Sequence, residues 1–203
     1  MRFLTHRGTP YEYEETESGA KLFSVSQVRR VMDDSMSRVP LSAMEPARLR
    51  GTLLHQRFWK MLASRAGLCD MPSVILGYVG QCQAMDKWAE EKAVLPVKLE
   101  EPSANLKLGY AGCVDTQCIY GETKILTLAD LKSGSEQITD PAQLLAYDEM
   151  EGYRSEKLLD LYVHEDGTYT EKWVTRQDKI LQWPWFISAL NVLKGRRNHN
   201  IKQ

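Results

Sequence analysis

Two short apolar runs, each bordered by charged residues, constrain the fold of this 203-residue chain most strongly. The first run includes Val114 and Ile119, the second includes Ile125 and Leu128, and Gly121 marks a turn between them. Both runs are rich in the residue types that fill buried strands. Strands joined by so short a turn lie side by side. The sequence therefore predicts a pair of neighbouring strands in this region.

Two carboxylates and one ammonium group belong to these predicted strands. Asp115 lies in the first, whereas Asp130 and Lys132 lie two residues apart in the second and therefore leave the same face. Paired carboxylates can hold a hard divalent cation. A lysine beside that cation can orient a water and offset the charge that builds on a scissile phosphate. The pattern favours metal-dependent phosphodiester cleavage, although a single Asp-x-Lys is more often a solvated edge or a surface ion pair.

Two helical segments add further polar residues to this set. His55 lies on an apolar helical segment upstream of the strands, where a satisfied core histidine is the alternative interpretation. Gln143 and Tyr147 lie downstream with i, i+4 spacing, so one face of a helix carries both side chains.

A third carboxylate comes from a preceding apolar run. Glu100 lies fifteen positions before Asp115, and Glu101 next to it is a competing candidate. Strand alternation puts the two glutamates on opposite faces, so only one of them can point into a site with Asp115. The spacing to Asp115 favours Glu100.

The ordered set resembles the RecB-like branch of the PD-(D/E)XK nuclease superfamily. Four stretches carry the resemblance, over about half of the chain: residues 50–55 with the helix histidine, 109–115 with the first aspartate, 129–134 with Asp-x-Lys-Ser-Gly, and 143–147 with Gln-x-x-x-Tyr. Val114 replaces the proline of the "PD" element, which RecB-like members commonly lack. Within this branch the chain is most similar to the group of small stand-alone phage exonucleases and the mitochondrial genome maintenance exonuclease.

The resemblance implies an α/β fold with a restriction-endonuclease-like core, in which helices flank a central mixed β-sheet. It also implies a set of metal ligands, namely His55, Asp115, Asp130, the backbone carbonyl of Leu131, and Glu100. Lys132 would position or activate the attacking water. Gln143 and Tyr147 would brace the site and touch the nucleic-acid backbone.

The implied cofactor is one or two Mg²⁺ or Mn²⁺ ions, and an imidazole ligand such as His55 shifts the preference towards manganese. The four cysteines form no C-x-x-C pair, so we expect no iron–sulfur cluster. The expected partner is DNA that is single-stranded or has free ends, and a recombinase, an annealing protein or a helicase is a further candidate partner. The sequence contains no P-loop, so ATP-driven unwinding would come from another chain.

The formal net charge of −1 conceals an uneven distribution along the chain. Residues 1–66 carry eleven Lys/Arg and seven Asp/Glu, residues 67–171 carry eight and nineteen, and residues 172–203 carry seven and one. The acidic middle suits cation binding, and the basic ends suit phosphates. Four cations around His55 are the predicted phosphate contacts, with solvated helix faces as the alternative: Arg48, Arg50, Arg57 and Lys60.

We expect a single domain with an N-terminal extended and helical segment (1–45), a core (46–175) and a C-terminal helix (176–203). The longer predicted helices cover about 46–66, 74–92, 140–151 and 178–193, and Pro46 is expected to bound the first of them. Strands are expected near 94–101, 108–119 and 123–131. No apolar run is long enough to span a membrane, and the polar N-terminus is unlike a secretory signal, so a cytoplasmic location (that of the host, for a virus) is expected.

The function expected from the residues and the resemblance is that of a Mg²⁺- or Mn²⁺-dependent DNA exonuclease acting in recombination, repair or end processing. Two alternatives stay open at this level. One is a structure-specific endonuclease, and the other is a non-catalytic nucleic-acid-binding domain that retains the nuclease fold.

Overall fold

Helices cover both faces of one mixed β-sheet in the computed structural model, which describes residues 4–6, 12–15, 18–33, 41–122 and 124–199. The strands of the described residues are β1 Leu4–His6, β2 Glu12–Glu15, β3 Lys21–Ser24, β4 Leu95–Asn105, β5 Tyr110–Tyr120, β6 Ile125–Lys132, β7 Lys157–Val163 and β8 Tyr169–Trp173. Their helices are α1 Val25–Met32, α2 Leu41–Arg65, α3 Val79–Glu91, α4 Asp140–Asp148 and α5 Arg176–Asn198. Parts of the predicted N-terminal segment, residues 1–3, 7–11, 16–17 and 34–40, lie outside the described residues.

Strand β5 is the centre of the sheet. The strand order is β1-β2-β3-β5-β6-β7-β8, and β4 pairs with β5 as well. The pairs β3–β5 and β6–β7 are parallel, whereas β4–β5, β5–β6 and β7–β8 are antiparallel. The predicted fold class, α/β with a central mixed sheet flanked by helices, is confirmed.

Alternation along β6 and β7 creates a hydrophobic core on each face of the sheet. Leu128 and Leu158 join the core formed with α1, α4 and α5. Ala129, Leu131 and Leu159 point the other way and join the core formed with α2 and α3. Side chains of a strand alternate between the two faces with a period of two. Asp130 follows Leu128 by two residues and therefore lies on the same face of the sheet, towards α4.

The first long helix does not begin where the sequence predicts. Pro46 lies inside α2, which starts at Leu41, so the expectation that this proline bounds the helix is wrong. A proline near the start of a helix removes only one hydrogen bond, and residues 45–49 are exposed, so no buried packing opposes the proline there. Strand β4 also runs further than predicted, because its pairing with β5 continues to Asn105.

Within the described ranges, no helix combines the length and the apolar character that crossing a membrane requires.

Candidate active site

Strands β5 and β6 separate at the position of the two predicted aspartates. Their last paired residues are Thr116 and Ala129. Beyond this pair, the main-chain N–H of Leu131 donates to Oδ2 of Asp115 at 2.7 Å. The carboxylate therefore accepts the hydrogen bond that a main-chain carbonyl accepts in a continuous ladder. This contact fixes the orientation of Asp115 and holds its carboxylate against the main chain of Leu131, the residue whose carbonyl is a predicted ligand.

His55 reaches the same point from helix α2. Its neighbours Leu54 and Phe58 are buried in the core on the α2 side and hold the helix against the sheet. Nδ1 of His55 lies 2.9 Å from Oδ1 of Asp115. Although burial alone would lower the pKa of His55, the Asp115 carboxylate and its hydrogen bond raise it to about 9. His55 is therefore a partly exposed partner of Asp115 rather than a core histidine.

Lys132 lies at the centre of a group of carboxylates. Its Nζ is 2.5 Å from Oδ2 of Asp130, 3.5 Å from Oδ1 of Asp140 and 3.6 Å from Oδ1 of Asp160. Burial opposes the charge on Lys132, but these carboxylates outweigh it and raise the pKa of the amine. Burial and the nearby Asp115 carboxylate raise the pKa of Asp130, against the effect of Lys132. Lys132 is therefore an ammonium group that donates hydrogen bonds.

Gln143 of helix α4 links Lys132 to Asp130. Its Oε1 accepts a hydrogen bond from Lys132 Nζ at 2.7 Å, and it also accepts one from Arg29. Its Nε2 lies 3.3 Å from Oδ1 of Asp130 and 2.9 Å from the hydroxyl of Tyr147. Both Gln143 and Tyr147 are buried, so neither is available for the predicted contact with a nucleic-acid backbone. Their position instead braces the Asp130–Lys132 pair.

Glu100 is the glutamate of β4 that faces Asp115. It lies between the pairs Leu99–Thr116 and Glu101–Val114 and has an unusual backbone φ of 44°. Partial burial and the Asp115 carboxylate raise the pKa of Glu100, whereas His55 lowers it. These influences associate Glu100 with the candidate site.

The predicted cluster of phosphate-binding cations is only partly exposed. The prediction for Arg57 is wrong, because its guanidinium is buried and forms two hydrogen bonds with Asp86, at 2.9 and 2.7 Å. Arg48 is exposed and pairs with Glu45 at 2.9 Å. Arg50 is partly buried, and Lys60 is exposed. Of the four cations, Arg48 and Lys60 are thus the most accessible.

Three residues of the site were not predicted from the sequence. Asp160 lies opposite Asp130 in the parallel β6–β7 ladder and is buried, and its Oδ1 has no hydrogen-bond partner among the described residues. Arg29 of α1 and Asp140 of α4 pair at 2.7 Å beside Gln143. A charged residue inside the apolar run of β7 was an available signal for Asp160. Arg29 lies on a distant helix, and its local sequence gives no such signal.

The side chains of the cluster are paired with one another. Among the described residues, no three Asp, Glu, His or Cys side chains already surround a common ion position. The sequence matches no protein-family model and no curated protein.

Proposed function

We propose that this protein is a metal-dependent nuclease that hydrolyses phosphodiester bonds of DNA, acting as an exonuclease in recombination, repair or end processing. One observation carries the proposal. Helix α2 and the neighbouring strands β5 and β6 bring His55, Asp115 and the Asp130–Lys132 pair into one cluster, in which Asp115 contacts both His55 and the main chain of Leu131. Imidazole, carboxylates and an ammonium group at one point can supply the metal ligands and the charge stabilisation that this reaction uses.

The side chains present fit Mg²⁺ or Mn²⁺. The candidate donors are carboxylate oxygens, a main-chain carbonyl and one imidazole nitrogen, which suit these ions. His55 Nδ1 and Asp115 Oδ1 are 2.9 Å apart. They are joined by a hydrogen bond, and because a metal ligand must be deprotonated, binding of an ion by these two groups would displace the proton between them.

The residues that would hold the ion are His55, Asp115, Asp130 and the Leu131 carbonyl, with Glu100 beside them. When bound, the ion would lower the pKa of its water and polarise the phosphoryl oxygens. The N–H of Leu131 holds Oδ2 of Asp115 at 2.7 Å and so directs the other oxygen towards His55. Such outer hydrogen bonds fix the orientation of ligands.

Lys132 acts by donating hydrogen bonds. Asp130 and Gln143 hold its ammonium at 2.5 and 2.7 Å, which fixes the direction of its remaining proton. An ammonium held in this way orients the attacking water and offsets the negative charge that develops on the phosphate. Because the group is already in place, little reorganisation accompanies the reaction.

The proposal is tested with end-labelled linear and circular DNA, single- and double-stranded, incubated with Mg²⁺, Mn²⁺ or a chelator. We expect the parent protein to degrade linear DNA only when an ion is present. Asp130→Ala should slow cleavage by about a hundredfold or more, while Asp70→Ala, at an exposed aspartate, should cut like the parent.

Each of the other outcomes would support a different function. Cleavage by Asp130→Ala at the parent rate would place the activity elsewhere. Cleavage of circular single strands would point to the endonuclease alternative. DNA binding without cleavage under any of these conditions would point to a non-catalytic nucleic-acid-binding domain.

A further inference from the structure

A cavity of about 390 Å³, lined mostly by residues with polar side chains, opens at the carboxyl ends of β6 and β7. It begins at Ser133, immediately after Lys132, and extends to the turn between β7 and β8. The side chains that matter to its chemistry are polar: Gln81, Ser133, Ser135, Tyr162, His164 and Thr170. Crevices at the carboxyl ends of strands are common ligand sites in α/β sheets.

The cavity adjoins the candidate active site through a shared wall. Tyr162 lines the cavity and is paired with Lys132 in the β6–β7 ladder. Its hydroxyl donates to Oδ2 of Asp140 at 2.6 Å, and Oδ1 of Asp140 is 3.5 Å from Lys132 Nζ. A group bound in the cavity would therefore lie next to a substrate held at Lys132.

Gln81 is the residue of the cavity wall whose amide is available to a ligand. The residue is only 2% exposed, yet its side-chain amide makes no hydrogen bond to another described residue and is not among the fully buried polar atoms that lack a partner. The amide therefore reaches the cavity, where water or a ligand can supply the hydrogen bonds that a nearly buried polar group requires. Gln81 cannot easily withdraw, because the preceding Gly80 packs against the β7–β8 turn. A side-chain carbon at Gly80 would come within 1.8 Å of the main-chain oxygen of Glu165.

The balance of charge in the cavity favours a neutral ligand. Lys172 is paired with Glu136 at 3.3 Å, and Glu165 adds a further acidic residue to the lining. His164 already contacts Thr170 at 2.9 Å. A phosphate would therefore meet carboxylates that no unpaired cation in the described lining of the cavity offsets. A neutral polar ligand that both donates and accepts hydrogen bonds meets no such repulsion.

We propose that this cavity binds a nucleobase of the nucleotide next to the bond that is cut, and that the Gln81 amide contacts the edge of that base. This inference rests on the proposed function and adds base specificity to it. A glutamine amide offers a donor and an acceptor together, which is the pattern that the edge of a base presents. The volume of the cavity is enough for one base, and pockets for single bases are read through such edges.

The test measures equilibrium binding of short single-stranded oligonucleotides in chelator, so that cleavage plays no part. Each position in turn carries an abasic nucleotide. We expect the parent protein to lose about fivefold or more in affinity when the base is missing at one particular position. Gln81→Met, of similar size but without the amide, should bind the intact oligonucleotide and the one with the abasic nucleotide with equal affinity. Gln83→Met, at an exposed position of the same helix, should behave like the parent.

A second variant covers the case in which Gln81→Met does not fold. Gln81→Glu keeps the shape but exchanges the amide donor for an acceptor, so the base preferred at that position should change. The proposal is overturned if no position depends on its base, or if both variants keep the preference of the parent. Cleavage is scored separately: base-dependent binding without cleavage would reject the nuclease proposal alone, and cleavage without base dependence would reject this one alone.

Discussion

The ring of Tyr147 packs directly against the backbone of Gly112. A side-chain carbon at Gly112 would come within 2.6 Å of Cε1 of Tyr147 and within 3.1 Å of Cε of Met150. The Tyr147 hydroxyl in turn contacts Nε2 of Gln143 at 2.9 Å. Gly112, in strand β5, therefore sets the position of the residue that braces Asp130 and Lys132.

Gly112→Ala should lower both stability and activity. The added methyl group must displace the buried ring of Tyr147, and overpacking of this kind costs about 1–3 kcal/mol. The shifted ring moves Gln143, so cleavage should fall further than the loss of folded protein explains. Urea unfolding and DNA cleavage measure the two effects. Gly195→Ala is the matched control, since nothing lies within 4 Å of its added carbon and alanine favours its helix. An unfolding midpoint of Gly112→Ala equal to that of the parent would contradict the close contact.

The pairing of Arg57 with Asp86 predicts unequal effects of removing its two partners. Arg57 is buried, whereas the Asp86 side chain is 41% exposed. Asp86→Ala leaves a buried guanidinium without its partner and should cost about 3–5 kcal/mol of unfolding free energy. Arg57→Met leaves a carboxylate that water can reach and should cost less. Arg48→Met, at an exposed pair, should change stability by at most about 1 kcal/mol. Chemical denaturation of the three variants ranks them, and a larger loss for Arg57→Met than for Asp86→Ala would refute this assignment.

The sequence is informative about the site where the signal is local. Alternation and the short turn predict that β5 and β6 are neighbours, and the structure brings Asp115 and Asp130 together at the point where they separate. The i, i+4 spacing likewise predicts the shared face of Gln143 and Tyr147, which contact each other. These relationships depend on residues within one element or one hairpin.

Other features depend on contacts between distant elements and escaped prediction. The burial of Arg57 depends on Asp86 in another helix, and an arginine on a basic helix gives no local sign of such a partner. Arg29 reaches Gln143 and Asp140 because the Ser24–Gln27 capping box starts α1 directly after β3. Pro46 led to a wrong helix boundary, since the first turns of a helix tolerate one missing hydrogen bond.

Binding of Mn²⁺ should stabilise the parent protein and depend on Asp115. An ion that binds the folded state at 100 times its dissociation constant adds about 2.7 kcal/mol, which raises the melting temperature of a protein of this size by several degrees. Asp115→Asn should lose most of this shift, because it removes a charged ligand and weakens the partner of His55. Thermal melting with Mn²⁺ and with chelator measures the difference, and Asp70→Asn is the control at an exposed aspartate. An equal shift in Asp115→Asn and the parent would place the ion elsewhere.

Asp160 and Asp140 both face Lys132, yet they should affect the pH dependence of stability in opposite directions. Burial, with Asp130 and Asp140 nearby, raises the pKa of Asp160 to about 7 despite Lys132. The folded state therefore binds the Asp160 proton more tightly than the unfolded state does. The cost of ionising this group is absent at about pH 4 and complete above about pH 7.

Asp160→Asn should therefore be more stable than the parent at pH 8, by at most about 4 kcal/mol, and the difference should disappear towards pH 4. For Asp140, burial is outweighed by Lys132, Tyr162 and Arg29, which lower its pKa. Its ionised form stabilises the fold above its ordinary pKa, so Asp140→Asn should be less stable than the parent at pH 8, and this deficit should shrink in acid. Urea unfolding in chelator at pH 4, 6 and 8 measures, for each variant, the slope with pH of its difference in unfolding free energy from the parent. Equal slopes for the two variants would mean that Asp160 is not held in the buried, unsatisfied position described above.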